Sequence, residues 1–378
     1  MKKVLSLVLA ALMLLSALPF FAYADDKPVK NVIYMIGDGM GENHLEWTKK
    51  ELGVTLTMDS MPYKGYRITD SLSGLTDSAA GGTALSCGLL AFNSNVGTCS
   101  ISIGSVGVVI ANYENLCEAS QRMGKKTGVV TSDSNTGATP AAFSAHTAAR
   151  GEASKISAQQ LECGLDLLWT AADGIITEES ATKAGWQFVD SMDEIYNLEP
   201  GSKSLAQFSG KIQYKTGNED DAPLSELTNE AIKQLDNDEN GFFLMIEGAH
   251  IDKYSHSNIK EDMMKSLVEF DKAVENALAF AEEDGETIVV VTADHETGGI
   301  TPDGDSYKFT KGSHSRANVP LRVYGTDVIV GNGETVKNVT VARNVSKLIG
   351  NESPFPSYSF APNILGSIFK ALFSLFKK

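Results

Sequence analysis

The sequence predicts an α/β fold with a mostly parallel central sheet and helices on both faces, on three observations. Short runs rich in Val and Ile recur along the chain, longer runs of helical period separate them, and each apolar run ends in polar residues. Such alternation builds a parallel sheet because parallel neighbours need a long crossover, usually a helix. Strands covered on both faces are continuously apolar rather than alternating.

The apolar runs are Asn31 to Ile36, Thr127 to Thr131, Phe242 to Ile246 and Thr287 to Thr292. Helical patterns run from Ile110 to Met123, closed by Gly124, and from Met263 to Glu283, closed by Gly285. A glycine just past the last turn takes the left-handed conformation at no steric cost. In open α/β sheets ligands bind beyond the carboxyl ends of the strands, so the polar residues after each run are the first candidates for chemistry.

The chain is expected to hold one large domain, 25–350, between two segments of other kinds. Residues 1–24 read as a secretory signal, with Lys2 and Lys3, an apolar run from Val4 to Phe21 and a small-x-small cleavage site at Ala22-Tyr23-Ala24. Residues 351–378 read as a linker, marked by Pro354, Pro356 and Pro362, and a short amphipathic tail. In that tail Ile364, Leu365, Ile368, Phe369, Leu372, Leu375 and Phe376 share one helical stripe. It is too short to span a bilayer and suits two roles equally: docking on this protein or a second subunit, or lying in a membrane surface.

The formal net charge of −16 includes the two signal lysines, so the exported chain is more acidic still. No nucleic-acid partner is expected, and an anionic substrate must be drawn by local charge. Four cysteines, Cys87, Cys99, Cys117 and Cys163, lie in the exported part, where one or two disulfides could form. They lack the spacing of a cysteine zinc site.

Residues able to ligate a metal or catalyse follow all four apolar runs: Asp38 between glycines, Thr139, Glu247, and Asp294 with His295. Singly, an Asp between glycines is an ordinary turn and a Glu after a strand an ordinary helix cap. Together they point to one site. Asp252 and His256 stand four apart, so on a helix both face one way and can grip one metal. His314 sits in a loop, His146 in an apolar helical pattern that suits a hydrogen-bonded core residue, and His44 and His250 are open to either reading. Zinc favours His nitrogen and carboxylate oxygen, and these residues suit two such sites. Ser78, in Thr76-Asp77-Ser78-Ala79-Ala80-Gly81-Gly82, reads as a hydroxyl at a helix start capped by Asp77 or Ser78, where partial positive charge favours an alkoxide.

These segments resemble the alkaline phosphatase family. The matches are Gly37-Asp38-Gly39-Met40-Gly41, Thr76-Asp77-Ser78-Ala79-Ala80, Ala138-Thr139-Pro140-Ala141-Ala142 with Arg150 beyond, Glu247-Gly248-Ala249-His250-Ile251-Asp252 with His256, and Thr292-Ala293-Asp294-His295-Glu296-Thr297-Gly298-Gly299. They occur in family order. The resemblance implies that Ser78 is the nucleophile and Arg150 grips the phosphate. It implies one zinc ion on Asp38, Asp294 and His295, a second on Asp252, His256 and His314, and a magnesium ion on Asp38, Thr139 and Glu247, whose hard oxygens suit that ion. Two metals about 3.5–4 Å apart stabilise the attacking and leaving oxygens of an in-line displacement. The implied reaction is phosphate monoester hydrolysis through phosphoserine, with an alkaline optimum, broad substrate range and a homodimeric assembly as the family option. A phosphodiesterase or sulfatase of the same superfold, or a secreted phosphate or metal binder, are the alternatives.

One position departs from the family. Gly137 stands two residues before Thr139, where relatives carry Asp or His, so a group beside the third site is expected to be missing and Lys253 to lack its partner, with weaker third-metal retention and easier phosphate release. The segment from Ile300 to Ser313 is also short for the family.

Overall fold

The structure is a computed structural model that describes residues 28–360, apart from 104, 105, 211, 213, 219, 220 and 354, together with residue 367. The signal segment and the apolar stripe of the tail lie outside the described residues. Among those described, no helix is long and apolar enough to cross a membrane.

Ten strands form the central sheet: β1 (Asn31–Gly37), β2 (Tyr63–Arg67), β3 (Lys126–Ser134), β4 (Leu167–Ala171), β5 (Gln187–Val189), β6 (Ser204–Phe208), β7 (Phe242–Gly248), β8 (Thr287–Thr292), β9 (Val319–Tyr324) and β10 (Thr335–Val336). Their spatial order is β10-β2-β9-β8-β1-β7-β3-β4-β6-β5. Only β9 runs against its neighbours, pairing antiparallel with β8 and β2. The four apolar runs read from the sequence are β1, β3, β7 and β8, and they sit side by side as β8-β1-β7-β3, all parallel. Their carboxyl ends therefore open on one common edge.

Alternate residues of these strands enter two separate cores. Ile33, Met35, Phe242, Leu244, Val289 and Val291 face one, with Leu227 and Ala231 of helix Leu224–Leu235 and Leu267, Phe270 and Val274 of helix Lys260–Asp284. Val32, Tyr34, Phe243, Met245, Ile288 and Val290 face the other, with Leu85, Leu116, Val341 and Val345 from three more helices. Both faces are thus covered. Each buried aliphatic or aromatic side chain contributes about 1.5–3 kcal/mol, so this double layer is what fixes the strand order.

Two readings of the sequence change. The helical pattern from Ile110 to Met123 splits into strand Val106–Tyr113 and helix Leu116–Arg122, whose start is set by Asn115: its Oδ1 accepts from Glu118 N at 3.0 Å while Asn115 N donates to Glu118 Oε2 at 2.9 Å. That capping box outweighs the run of apolar period before it. The proline-rich stretch after Gly350 carries strand Tyr358–Phe360, which pairs with Val106–Tyr113. Helix Lys260–Asp284, by contrast, ends as read, with Gly285 left-handed at φ 72°.

Candidate active site

The common edge of β8, β1, β7 and β3 carries Asp38, Thr139, Glu247, Asp252, Asp294 and His295, either at the strand end or on the segment that follows it. Ser78 is the first residue of helix Ser78–Cys87. Its cap is Asp77, whose Oδ1 accepts from Ala80 N at 2.9 Å and whose Oδ2 accepts from Ser94 N at 2.9 Å. Small residues let this helix come close: a Cβ on Gly81 would stand 3.1 Å from Asp294, and one on Gly82 3.3 Å from Thr139 Cα. The Ser78 hydroxyl thereby reaches 3.2 Å from Nε2 of His295.

The same His295 Nε2 lies 3.2 Å from Asp294 Oδ2 and 3.6 Å from Asp38 Oδ1, so Asp38, Asp294 and His295 offer atoms that one cation can share. Asp294 is aimed by backbone donors, its Oδ1 accepting from Gly39 N at 3.2 Å and His295 N at 2.9 Å. On the other side, Asp252 and His256 share helix His250–His256, with His256 Nε2 3.4 Å from Asp252 Oδ2. His314 is not in a loop, as the sequence suggested, but in a two-residue strand paired with Glu296–Thr297. That ladder brings His314 Nε2 to 3.1 Å from His256 Nε2 and stacks its ring on His295 at 3.6 Å between centroids. The outer nitrogens are anchored on carbonyls: His256 Nδ1 is 2.9 Å from Gly312 O, and His314 Nδ1 is 2.9 Å from Thr76 O. Both rings therefore keep Nε2 for the centre.

Four carboxylates, Asp38, Asp252, Asp294 and Glu247, are each at least nine-tenths buried here. Burial, then the charges of Asp294, Asp252 and Glu247, push the Asp38 carboxyl well above the usual carboxylate range. Burial and then Asp133 raise Glu247 to about 8. Asp294 goes the other way: burial opposes ionisation, but His295 and Asp38 hold it below its ordinary value. Buried acidic groups in this number are stable only with compensating positive charge. Asp38 Oδ1, Asp294 Oδ2 and Thr139 Oγ1 are buried with no hydrogen-bond partner among the described residues. Such orphaned oxygens, together with imidazole nitrogens held at their far side, fit the donor set of bound cations.

The family model for alkaline phosphatase matches residues 29–175 and 166–353. This chain belongs to the alkaline phosphatase family. It is 32% identical over 300 residues to alkaline phosphatase 3 of Bacillus subtilis (strain 168), covering 73% of this chain and 63% of that protein. It therefore spans less than two thirds of that relative's length. Against alkaline phosphatase of Escherichia coli (strain K12) it is 29% identical over 344 residues, 71% of this chain and 70% of the other. The solved alkaline phosphatase of the Antarctic bacterium TAB5 superposes with a TM-score of 0.74 at 28% identity, covering 85% of this chain and 98% of that one, and a His 135 Glu mutant of that enzyme was solved with magnesium bound in its M3 site.

Around this candidate donor set, the departure at Gly137 takes a different form from the one the sequence implied. Lys253 does have a partner: its Nζ donates to Asp133 Oδ1. The Asp133 carboxylate fills the room beside Gly137, since a Cβ there would stand 2.7 Å from Asp133 Oδ2. A carboxylate from four residues earlier in the chain thus stands beside Gly137. Glu247 beside it accepts from Thr131 Oγ1, which in turn accepts from Asp133 N at 2.8 Å. Arg150 lies at the rim, partly exposed, its Nη1 3.6 Å from Asp77 Oδ2.

Sequence reasoning missed the residues that aim these candidate donor groups. Arg67, wholly buried, donates to the carbonyls of Ala293 and Asp294 and so braces the turn that presents Asp294 and His295. His44 accepts from Gly41 N at Nδ1 (3.1 Å), so Nε2 carries its proton toward Ser255 Oγ (3.0 Å), on the helix bearing Asp252. Burial lowers His44 to about 3, which keeps it neutral. His146 is hydrogen-bonded as expected, to Gly97 O and Glu118 Oε1 at 2.9 Å each, but lies in a loop past helix Ala138–Ala142 rather than on a helix. All four cysteines are free thiols, so the one or two disulfides that the sequence allowed are not formed here.

Proposed function

We propose that this chain hydrolyses phosphate monoesters through a phosphoserine formed on Ser78. The observation that carries the reading is the Ser78 hydroxyl at a helix start, 3.2 Å from His295 Nε2, next to two groups of donors close enough to share a cation, Asp38 with Asp294 and His295, and Asp252 with His295 and His314. The names of its relatives support the same reading. Asp38, Asp294 and His295 would hold one zinc ion, Asp252, His256 and His314 a second, and Asp38, Thr139 and Glu247 a magnesium ion. Bound in those places, the cations would supply positive charge for the attacking and leaving oxygens of an in-line displacement.

The chain's own residues do the rest. Ser78 Oγ attacks phosphorus and gives its proton to solvent, and the bond from phosphorus to the alcohol oxygen breaks as that oxygen takes a proton from solvent. Free N–H groups at the start of helix Ser78–Cys87 favour the negative charge that builds there. Arg150, tethered by Asp77, offers two parallel donors to the phosphoryl oxygens. A water oxygen then attacks the phosphoserine, the P–Oγ bond breaks, Oγ regains its proton and phosphate leaves. The groups named grip only the phosphoryl end, which supports a broad range of alcohols. Ligand nitrogens and carboxylates must be deprotonated to hold cations, which supports an alkaline optimum. The apolar start of the chain supports export.

Turnover of p-nitrophenyl phosphate, its diester and the corresponding sulfate, with zinc and magnesium supplied, tests the reading. Preference for the monoester, lost in Ser78→Ala, is expected. Release that survives Ser78→Ala unaltered overturns the covalent step, and preference for the diester or sulfate overturns the substrate class.

A further inference from the structure

We infer that Thr297 is a positioning residue that joins the two halves of the candidate metal centre, its one hydroxyl orienting Asp252 while it fixes the tautomer of His295. The inference rests on the proposed cation groups and goes beyond them by giving a role to a residue that belongs to neither.

A threonine hydroxyl has one proton to donate and two lone pairs to accept with. Thr297 Oγ1 donates to Asp252 Oδ1. Its single proton is then committed. The same Oγ1 lies 3.2 Å from Nδ1 of His295. Two lone pairs at that distance would repel, so Nδ1 carries a proton and Oγ1 accepts it. His295 is left with Nε2 as the nitrogen facing Ser78 Oγ at 3.2 Å, Asp294 Oδ2 at 3.2 Å and Asp38 Oδ1 at 3.6 Å. That is the nitrogen a cation needs.

The hydroxyl is held in place from two sides. Thr297 N donates to Gly39 O at 3.0 Å, tying it to the turn that carries Asp38, and Thr297 pairs with His314 in the short antiparallel ladder. One buried residue thus touches Asp252 and His295 through its side chain and His314 and the Asp38 turn through its backbone. Partners of this kind, set behind the ligands, fix ring orientation and typically change metal affinity by about 10- to 100-fold when removed.

The test uses zinc as the probe on the full chain. Stepwise zinc affinities of the metal-stripped protein, measured against a chromophoric chelator, are compared for wild type, Thr297→Val and Thr297→Ser. Thr297→Val keeps the shape and loses the hydroxyl, and is expected to weaken zinc binding by about 10- to 100-fold. Thr297→Ser restores the hydroxyl and is expected to return affinity close to wild type. Unchanged affinity in Thr297→Val, or a Thr297→Ser variant as weak as Thr297→Val, overturns the inference. Nitrogen-15 spectra of the zinc-loaded wild type give a reading that needs no variant to fold: His295 is expected to keep its proton on Nδ1, and a proton on Nε2 overturns the inference. A wild type that binds no zinc overturns instead the metal-centre reading beneath it.

Discussion

The Lys253 ammonium donates to the Asp133 carboxylate, and that carboxylate occupies the space into which any side chain on Gly137 would have to grow. The arrangement ties the loop after β3 to the helix bearing Asp252 and His256. It also sets the sign of a substitution. In Gly137→Asp the new Cβ would stand 2.7 Å from Asp133 Oδ2, with a second negative charge beside the first. Overpacking of this kind costs about 1–3 kcal/mol. Gly137→Asp alone is expected to lower the melting temperature and weaken magnesium retention, whereas Asp133→Gly with Gly137→Asp recovers both. Calorimetry and a magnesium titration of the two variants check it, and a single variant as stable as wild type contradicts it.

Gly39 is held left-handed at φ 73°, and a Cβ there would stand 2.8 Å from Cα, Cβ and Oδ1 of Asp252. Gly39→Ala adds backbone strain of about 1–2 kcal/mol and a clash with Asp252. The expected outcome is a loss of about 2–4 kcal/mol in chemical denaturation together with weaker zinc retention in elemental analysis. Stability lost with zinc content intact would show that Asp252 accommodates the methyl.

How far the sequence carried these conclusions depended on the range of the interactions. The runs that became β1, β3, β7 and β8 were legible because strands buried on both faces are apolar throughout, and the site followed from the polar residues at their ends. The Asp77 cap and the four-residue spacing of Asp252 and His256 are local devices, and both took their expected form. Arg67, Thr297 and Asp133 carry no local signal. Arg67 braces a carbonyl 226 residues away, and the Asp133 partner is 120 residues away. The strand at Val106–Tyr113 was hidden because its apolar residues also fit a helical period, and only the cap at Asn115 separates the two elements.

The pair His146 and Glu118 gives a pH dependence away from the catalytic groups. Burial disfavours the His146 cation, but the hydrogen bond and charge of Glu118 more than offset it and raise its pKa above 6.5. Burial opposes ionisation of Glu118 too, and His146 holds its pKa below 4.5. The histidine's contribution is present below pH 6.5 and lost as pH rises through its raised value. The carboxylate's contribution is present above pH 4.5 and lost as pH falls through its lowered value. The pair therefore stabilises most between about pH 4.5 and 6.5, by about 1 kcal/mol or less because Glu118 is 40% exposed. Melting temperatures across pH 4–8 are expected to show a shallow excess over His146→Gln in that window, and parallel curves would contradict the pairing.

Ser78→Ala removes the attacking oxygen while leaving the donor groups in place. Turnover is expected to fall by at least about 10³-fold with zinc retention unchanged, a split that steady-state kinetics and elemental analysis read together. Zinc lost along with activity would mean that the serine is needed to build the centre.

Arg150 reaches the site from the rim with its guanidinium partly exposed, 3.6 Å from Asp77. Arg150→Ala is expected to raise KM and lower kcat/KM for p-nitrophenyl phosphate by about 10²-fold, and to weaken inhibition by inorganic phosphate in parallel. An unchanged phosphate inhibition constant would remove Arg150 from the phosphoryl contacts.

The central claim is that separate acidic and imidazole side chains gather two cations beside one serine hydroxyl. An anomalous-difference map at the zinc absorption edge, from crystals grown with zinc, tests it most directly. The account predicts two peaks about 3.5–4 Å apart next to Ser78, one bounded by Asp38, Asp294 and His295 and the other by Asp252, His256 and His314. A map with no peak between those residues, at full zinc supply, would contradict it.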